Sequence, residues 1–94
     1  MKDVFKYTKN NIKTPTTFDE YCALEDELIN LENMEAPSYP SNEAFDEIIT
    51  PNLKIFIPYL IWVYNCAEEP ANHEEVRVRK KIKRALNNFV SKLN

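Results

Sequence analysis

From Leu53 to Tyr64 the chain is apolar apart from Lys54 and Pro58, and everything else in the sequence has to be arranged around that stretch. Thr50 and Pro51 suit the start of a helix there, threonine as a cap and proline at the first helical position, where its missing donor costs nothing. Wound from that point to about Cys66, the helix is apolar on every side, with Leu53, Ile55, Phe56, Ile57, Tyr59, Leu60, Ile61, Trp62 and Val63. A helix without a polar face must be covered all round, which puts it in the middle of its domain. Pro58 lacks an amide donor and crowds the turn before it, so a kink is expected. The isoleucines leave a strand at Leu53 to Ile57, paired with Val4 to Tyr7, as the alternative; length and caps favour the helix. The stretch falls short of the roughly 20 residues needed to cross a bilayer. It is a core segment and not a membrane anchor.

Two amphipathic helices are available to cover it. Thr17 with Glu20 reads as a capping box, the hydroxyl accepting from a first-turn amide while the glutamate returns to the cap amide. Phe18, Tyr21, Leu24, Leu28 and Leu31 then recur at spacings of three and four, predicting a helix that ends near Met34. Pro37 and Pro40 mark a connection, and Ser41 or Asn42 can cap a short second helix from Glu43 to Ile49. Asn72 with Glu75 is a second box-like start, and Val78, Ile82, Ala85, Leu86, Phe89 and Leu93 fall within an arc of about 140° at 100° per residue. The expected fold is all-α: one domain of 94 residues, a small bundle of about four helices. Its parts are a basic N-terminal arm at 1–13, an acidic helix at 17–34, a kinked apolar helical segment at 42–66 and a basic amphipathic helix at 73–93.

The formal net charge of −3 conceals a partition by sign. Four lysines stand against Asp3 before Thr14; ten acids and no base lie between Thr14 and Leu53. Four glutamates face Lys54 up to Glu75, and from Val76 onward there are seven bases and no acid. Such sorting serves either as an internal complement between neighbouring helices or as surfaces directed at something else.

Several chemistries are excluded. A chain with no glycine cannot build the glycine-rich phosphate cradle of a nucleotide-binding loop. His73 is the single histidine, and Cys22 and Cys66 are too few for a disulfide scaffold and too widely spaced for a zinc knuckle. Glu43, Asp46 and Glu47 lack the loop spacing of a calcium site, so neither metal nor cofactor is expected. Cys22 or Cys66 with His73 is the only nucleophile and base pair available, Cys66 lying near enough for contact, and it has no oxyanion donor or orienting third group, so the chain is read as a non-enzyme. The amino terminus lacks the apolar core of a secretory signal, and a reducing, cytoplasmic setting is expected.

The candidate contact surface is the cluster Arg77, Arg79, Lys80, Lys81, Lys83 and Arg84, which on a helical wheel forms a collar around the non-apolar circumference. Of the aromatics, Tyr39, set between two prolines on a loop, is the one best placed for an exposed contact, with Tyr64 second. The partner-binding residues are therefore Tyr39, Tyr64, Arg77, Lys80, Lys81 and Arg84, and the partner expected is another protein. Binding of nucleic acid by the last helix and the N-terminal lysines is the alternative, weakened because no aromatics are interleaved to stack on bases. Phosphate mimicry by the acids is a lesser reading, self-association through the aromatic segment is a further one, and no membrane partner is expected. Richness in asparagine, lysine and isoleucine, with no glycine, has the character of phage or mobile-element accessory genes, which suggests an adaptor or an inhibitor antagonising a host enzyme.

Overall fold

The computed structural model describes residues 14–29 and 36–93. The N-terminal arm at 1–13, the proposed partner strand at Val4 to Tyr7, and Leu31 and Met34 at the expected end of the first helix lie outside them. The described residues form an all-α structure of three long helices and one short irregular helical segment, with no strand among them. We denote them α1 (Phe18–Ile29), α2 (Asn42–Ala44), α3 (Leu53–Cys66) and α4 (His73–Ser91).

The apolar stretch is helical and buried as its composition demands. Phe56, Ile57, Pro58, Tyr59, Leu60, Ile61 and Val63 of α3 are buried, whereas Ile55 is 60% exposed. Leu24 and Leu28 from α1, Phe45 and Ile49 from the segment after α2, and Val78, Ile82 and Leu86 from α4 complete the core. Both α1 and α4 pack on α3, and α2 packs on α4. Phe18, which the leucine stripe of α1 places on the buried side, is 50% exposed at the rim and stacks on Tyr21, 6.5 Å between ring centroids.

Pro58 shows how the chain before α1 is held. With no N–H at residue 58, the carbonyl of Lys54 four residues earlier has no helical donor. Thr14 supplies one, its Oγ1 donating to the Lys54 oxygen, and Pro15 is buried beside it. A second departure precedes α3. Pro51 cannot donate and crowds the carbonyl four residues before it, that of Glu47, and ahead of it the backbone widens into a π turn over Phe45–Ile49. Thr50, expected to cap α3, is used here instead: its amide and its hydroxyl both donate to the Phe45 carbonyl, the hydroxyl at 3.0 Å. A 3-10 turn over Thr50–Asn52 then leads into α3, Asn52 leaving helical geometry at φ −123° and ψ 35°, so the second and third expected helices join directly with no loop between them.

The caps form largely as the side-chain chemistry predicts. Thr17 Oγ1 accepts from the Glu20 amide at 3.1 Å, and Asn72 Oδ1 accepts from the Glu75 amide at 2.9 Å. In both boxes the glutamate reaches one residue further back than expected. Glu20 Oε1 accepts from the amide and the hydroxyl of Thr16, each at 2.8 Å, and Glu75 Oε1 accepts from the Ala71 amide at 2.8 Å. Ser41 is the cap of α2, accepting from the Ala44 amide at 3.0 Å.

Candidate protein-binding surface

The basic side chains of α4 divide into those the fold uses and those it leaves to solvent. Arg79 is used. Its Nη1 donates to the Tyr64 carbonyl at 3.0 Å and to the Tyr39 hydroxyl at 3.3 Å, and its guanidinium carbon lies 4.1 Å from the centre of the Tyr64 ring. The planar fork thus stacks and donates at once, which an ammonium group could not do. Lys81 is used as well. Its Nζ donates to Asn42 Oδ1 at 2.6 Å and pairs with Asp46 at 2.9 and 3.1 Å, while Glu74 Oε2 accepts from the Asn42 amide at 2.9 Å. Two side chains of α4 therefore hold the short helical segment against it.

This arrangement alters the part assigned to the two tyrosines. Tyr39 and Tyr64 are half-buried, pack against the core, and meet through Arg79. Tyr39, expected as an exposed contact on its loop between two prolines, is instead drawn inward. Pro40 is itself buried and Tyr59 Oη donates to the Ser38 carbonyl at 3.4 Å, so the connection lies on the protein and carries Tyr39 inward. Lys81, grouped with the outward-facing bases, is likewise turned to Asp46.

Arg77, Lys80, Lys83 and Arg84 remain exposed, with no hydrogen-bond or ion-pair partner among the described residues. Three of these four form a stripe: Arg77, Lys80 and Arg84 fall within about 60° of one another at 100° per residue, opposite Val78, Ile82 and Leu86, with Lys83 about 60° to one side of Lys80. Beside the stripe lies an open groove of about 360 Å³ between α4 and the segment running from Phe45 to Leu53. Phe45, Leu53 and Ala85 give it apolar walls, and Thr50, Lys81, Arg84 and Asn88 line it with them. Arg84 belongs to both the groove and the stripe.

The acids of α1 do not neutralise this face. Glu20 is engaged with Thr16, and Glu25 Oε2 accepts from Asn65 Nδ2 of α3 at 3.2 Å. Asp26 and Glu27 stand exposed, and the described contact between α1 and α4 is aromatic, Tyr21 against Phe89 at 6.4 Å.

The pair considered for chemistry has a different character. Burial pushes the Cys66 thiol up, the opposite of what an activated thiolate needs, and its Sγ donates to the Leu28 carbonyl at 3.8 Å. His73 is exposed at the start of α4. Among the described residues no group of three or more His, Cys, Asp or Glu could hold a metal ion, and no helix is long and apolar enough to cross a membrane.

Three roles were not read from the sequence: Arg79 as an internal clamp, Thr14 as donor to the Lys54 carbonyl of α3, and Glu74 as acceptor from the Asn42 amide of α2. Arg79 did carry a signal, since on the wheel it lies about 20° from Leu86 at the edge of the buried arc. Comparison with protein-family models, curated proteins and solved structures finds no match.

Proposed function

We propose that this small helical bundle is a non-enzymatic binding protein, an adaptor or inhibitor that docks on another protein through the solvent face of α4. The observation that carries the reading is the unequal use of the α4 bases. Arg79 and Lys81 are engaged within the chain, while Arg77, Lys80 and Arg84 project together with no partner among the described residues. Three unpaired cations on one helical stripe raise the local potential, speed encounter with an acidic surface and penalise basic ones. The upward push that burial gives the Cys66 thiol, which disfavours a thiolate, supports the non-catalytic part of the reading. The free cysteines Cys22 and Cys66 accord with a cytoplasmic setting, and antagonism of a host enzyme by an accessory protein is the role in which such a surface would serve.

Affinity capture from a lysate, run beside a variant with Arg77, Lys80 and Arg84 changed to glutamate, tests the assignment. Partners recovered by the native protein should be lost from the variant. Equal recovery would remove α4 from the contact surface. The same stripe suits phosphates, and a gel-shift titration at two salt concentrations decides that alternative, because counterion release makes such binding strongest at low salt.

A further inference from the structure

We infer that the partner offers this surface an acidic segment bearing one large apolar side chain, which enters the groove beside Arg84 while its carboxylates lie along Arg84, Lys80 and Arg77. The inference rests on the protein-binding reading and specifies the chemistry of what binds.

Size and lining set the first half of the claim. About 360 Å³ lies at the low end of the range of small-molecule pockets, and an open groove of that size between a helix and an irregular segment accepts a side chain more readily than an enclosed ligand. Phe45, Leu53 and Ala85 offer it apolar surface, the setting in which an aromatic or leucine anchor gains most by leaving water.

Charge sets the second half. Lys81 is neutralised by Asp46, so the cation left for a ligand at the groove is Arg84. From Arg84 the nearest free bases on the stripe, Lys80 and Arg77, lie toward the amino-terminal end of α4, a rise of about 10 Å along the helix, whereas Lys83 stands to one side and the next base in the other direction is Lys92, well beyond the groove. The segment across the groove carries the exposed Glu47, with the exposed Glu43 just before it in the chain, and these would repel carboxylates. The partner's acids should therefore sit on one side of its anchor, spread over about 10 Å. Phosphate chains make no use of an apolar groove, and the ring of Tyr64 is already occupied by the Arg79 guanidinium.

The probe is a random peptide library displayed on phage and panned against the intact chain at low ionic strength. Enriched peptides should carry Phe, Trp or Leu with Asp and Glu clustered to one side. The best of them, labelled with fluorescein and titrated by anisotropy, should lose about tenfold or more in affinity when its anchor is changed to alanine. Comparable losses are expected from R84E and from N88W, which fills the groove from an exposed position. D26K/E27K on α1 should leave the affinity within about twofold, and circular dichroism should show every variant folded. If no acidic peptide is enriched, the groove proposal and the basic-face reading fall together. If acidic peptides need Arg84 but tolerate both N88W and loss of the anchor, the groove proposal falls and the charged face stands. Binding of a DNA duplex in place of any peptide would overturn both in favour of phosphate recognition.

Discussion

Replacing Thr14 with valine tests how α3 tolerates a buried proline. The substitution keeps the shape of the side chain and deletes the hydroxyl that donates to the Lys54 carbonyl, the group left without a helical donor by Pro58. Because Lys54 is exposed, water can replace part of what is lost, so the cost is that of one net hydrogen bond, about 0.5–1.5 kcal/mol, and not of a buried orphan. For a domain of this length that lowers the melting temperature by about 4–8 °C per kcal/mol. The decisive measurement is a double-mutant cycle with Pro58→Ala, followed by urea denaturation in far-UV circular dichroism. Alanine at residue 58 restores an amide aimed at the Lys54 carbonyl, so Thr14 becomes dispensable. Pro58→Ala also leaves a void in the core, but that term cancels in the cycle. We expect a coupling of about 0.5–1 kcal/mol. A Thr14→Val cost as large with alanine at residue 58 as with proline would refute the account.

Alkaline pH should destabilise the protein through two phenols, the buried Tyr59 and the half-buried Tyr21. Burial holds the Tyr59 phenol well above its ordinary value, and burial with the Glu25 carboxylate beside it raises Tyr21 to about 12. Folded values above the unfolded value of 10.0 mean that this stability is complete below about pH 10 and is lost as the pH climbs toward the folded values. The slope from Tyr59 alone approaches about 1.4 kcal/mol per pH unit, and Tyr59→Phe should flatten the fall in urea midpoint above pH ~10; an unchanged fall would refute it. Arg79→Lys should cost about 1–2 kcal/mol in thermal melts, through loss of the stack on Tyr64 and the bond to its carbonyl, whereas Arg84→Lys should stay within about 0.5 kcal/mol. Asn72→Ala should cost about 1 kcal/mol by removing the α4 cap, read as a lower urea midpoint with an unchanged slope.

Legibility followed the range of the interaction. The α4 arc of Val78, Ile82 and Leu86 and the caps at Thr17 and Asn72 were readable because each depends on residues three or four positions apart. The π turn at Phe45–Ile49 was not, although Pro51 was plainly there: a proline announces a disturbance without saying whether the backbone kinks, stops or widens. Tyr39 was misplaced for a related reason. Proline spacing describes the shape of a connection, and only the docking of Ser38 against Tyr59 and the burial of Pro40 show which way the loop faces.

The order of apolar and charged side chains along the chain was enough to determine the helical class, the central position of Leu53–Cys66 and the gathering of bases on the last helix. Which of those bases stay free was decided by the tertiary structure alone. Arg79 meets carbonyl and hydroxyl partners 15 and 40 residues away, and Lys81 meets Asp46 at a separation of 35. Helical periodicity arranges neighbours within a turn and is indifferent to what another segment brings against them, so the stripe of Arg77, Lys80 and Arg84 exists only once the chain has folded back on itself.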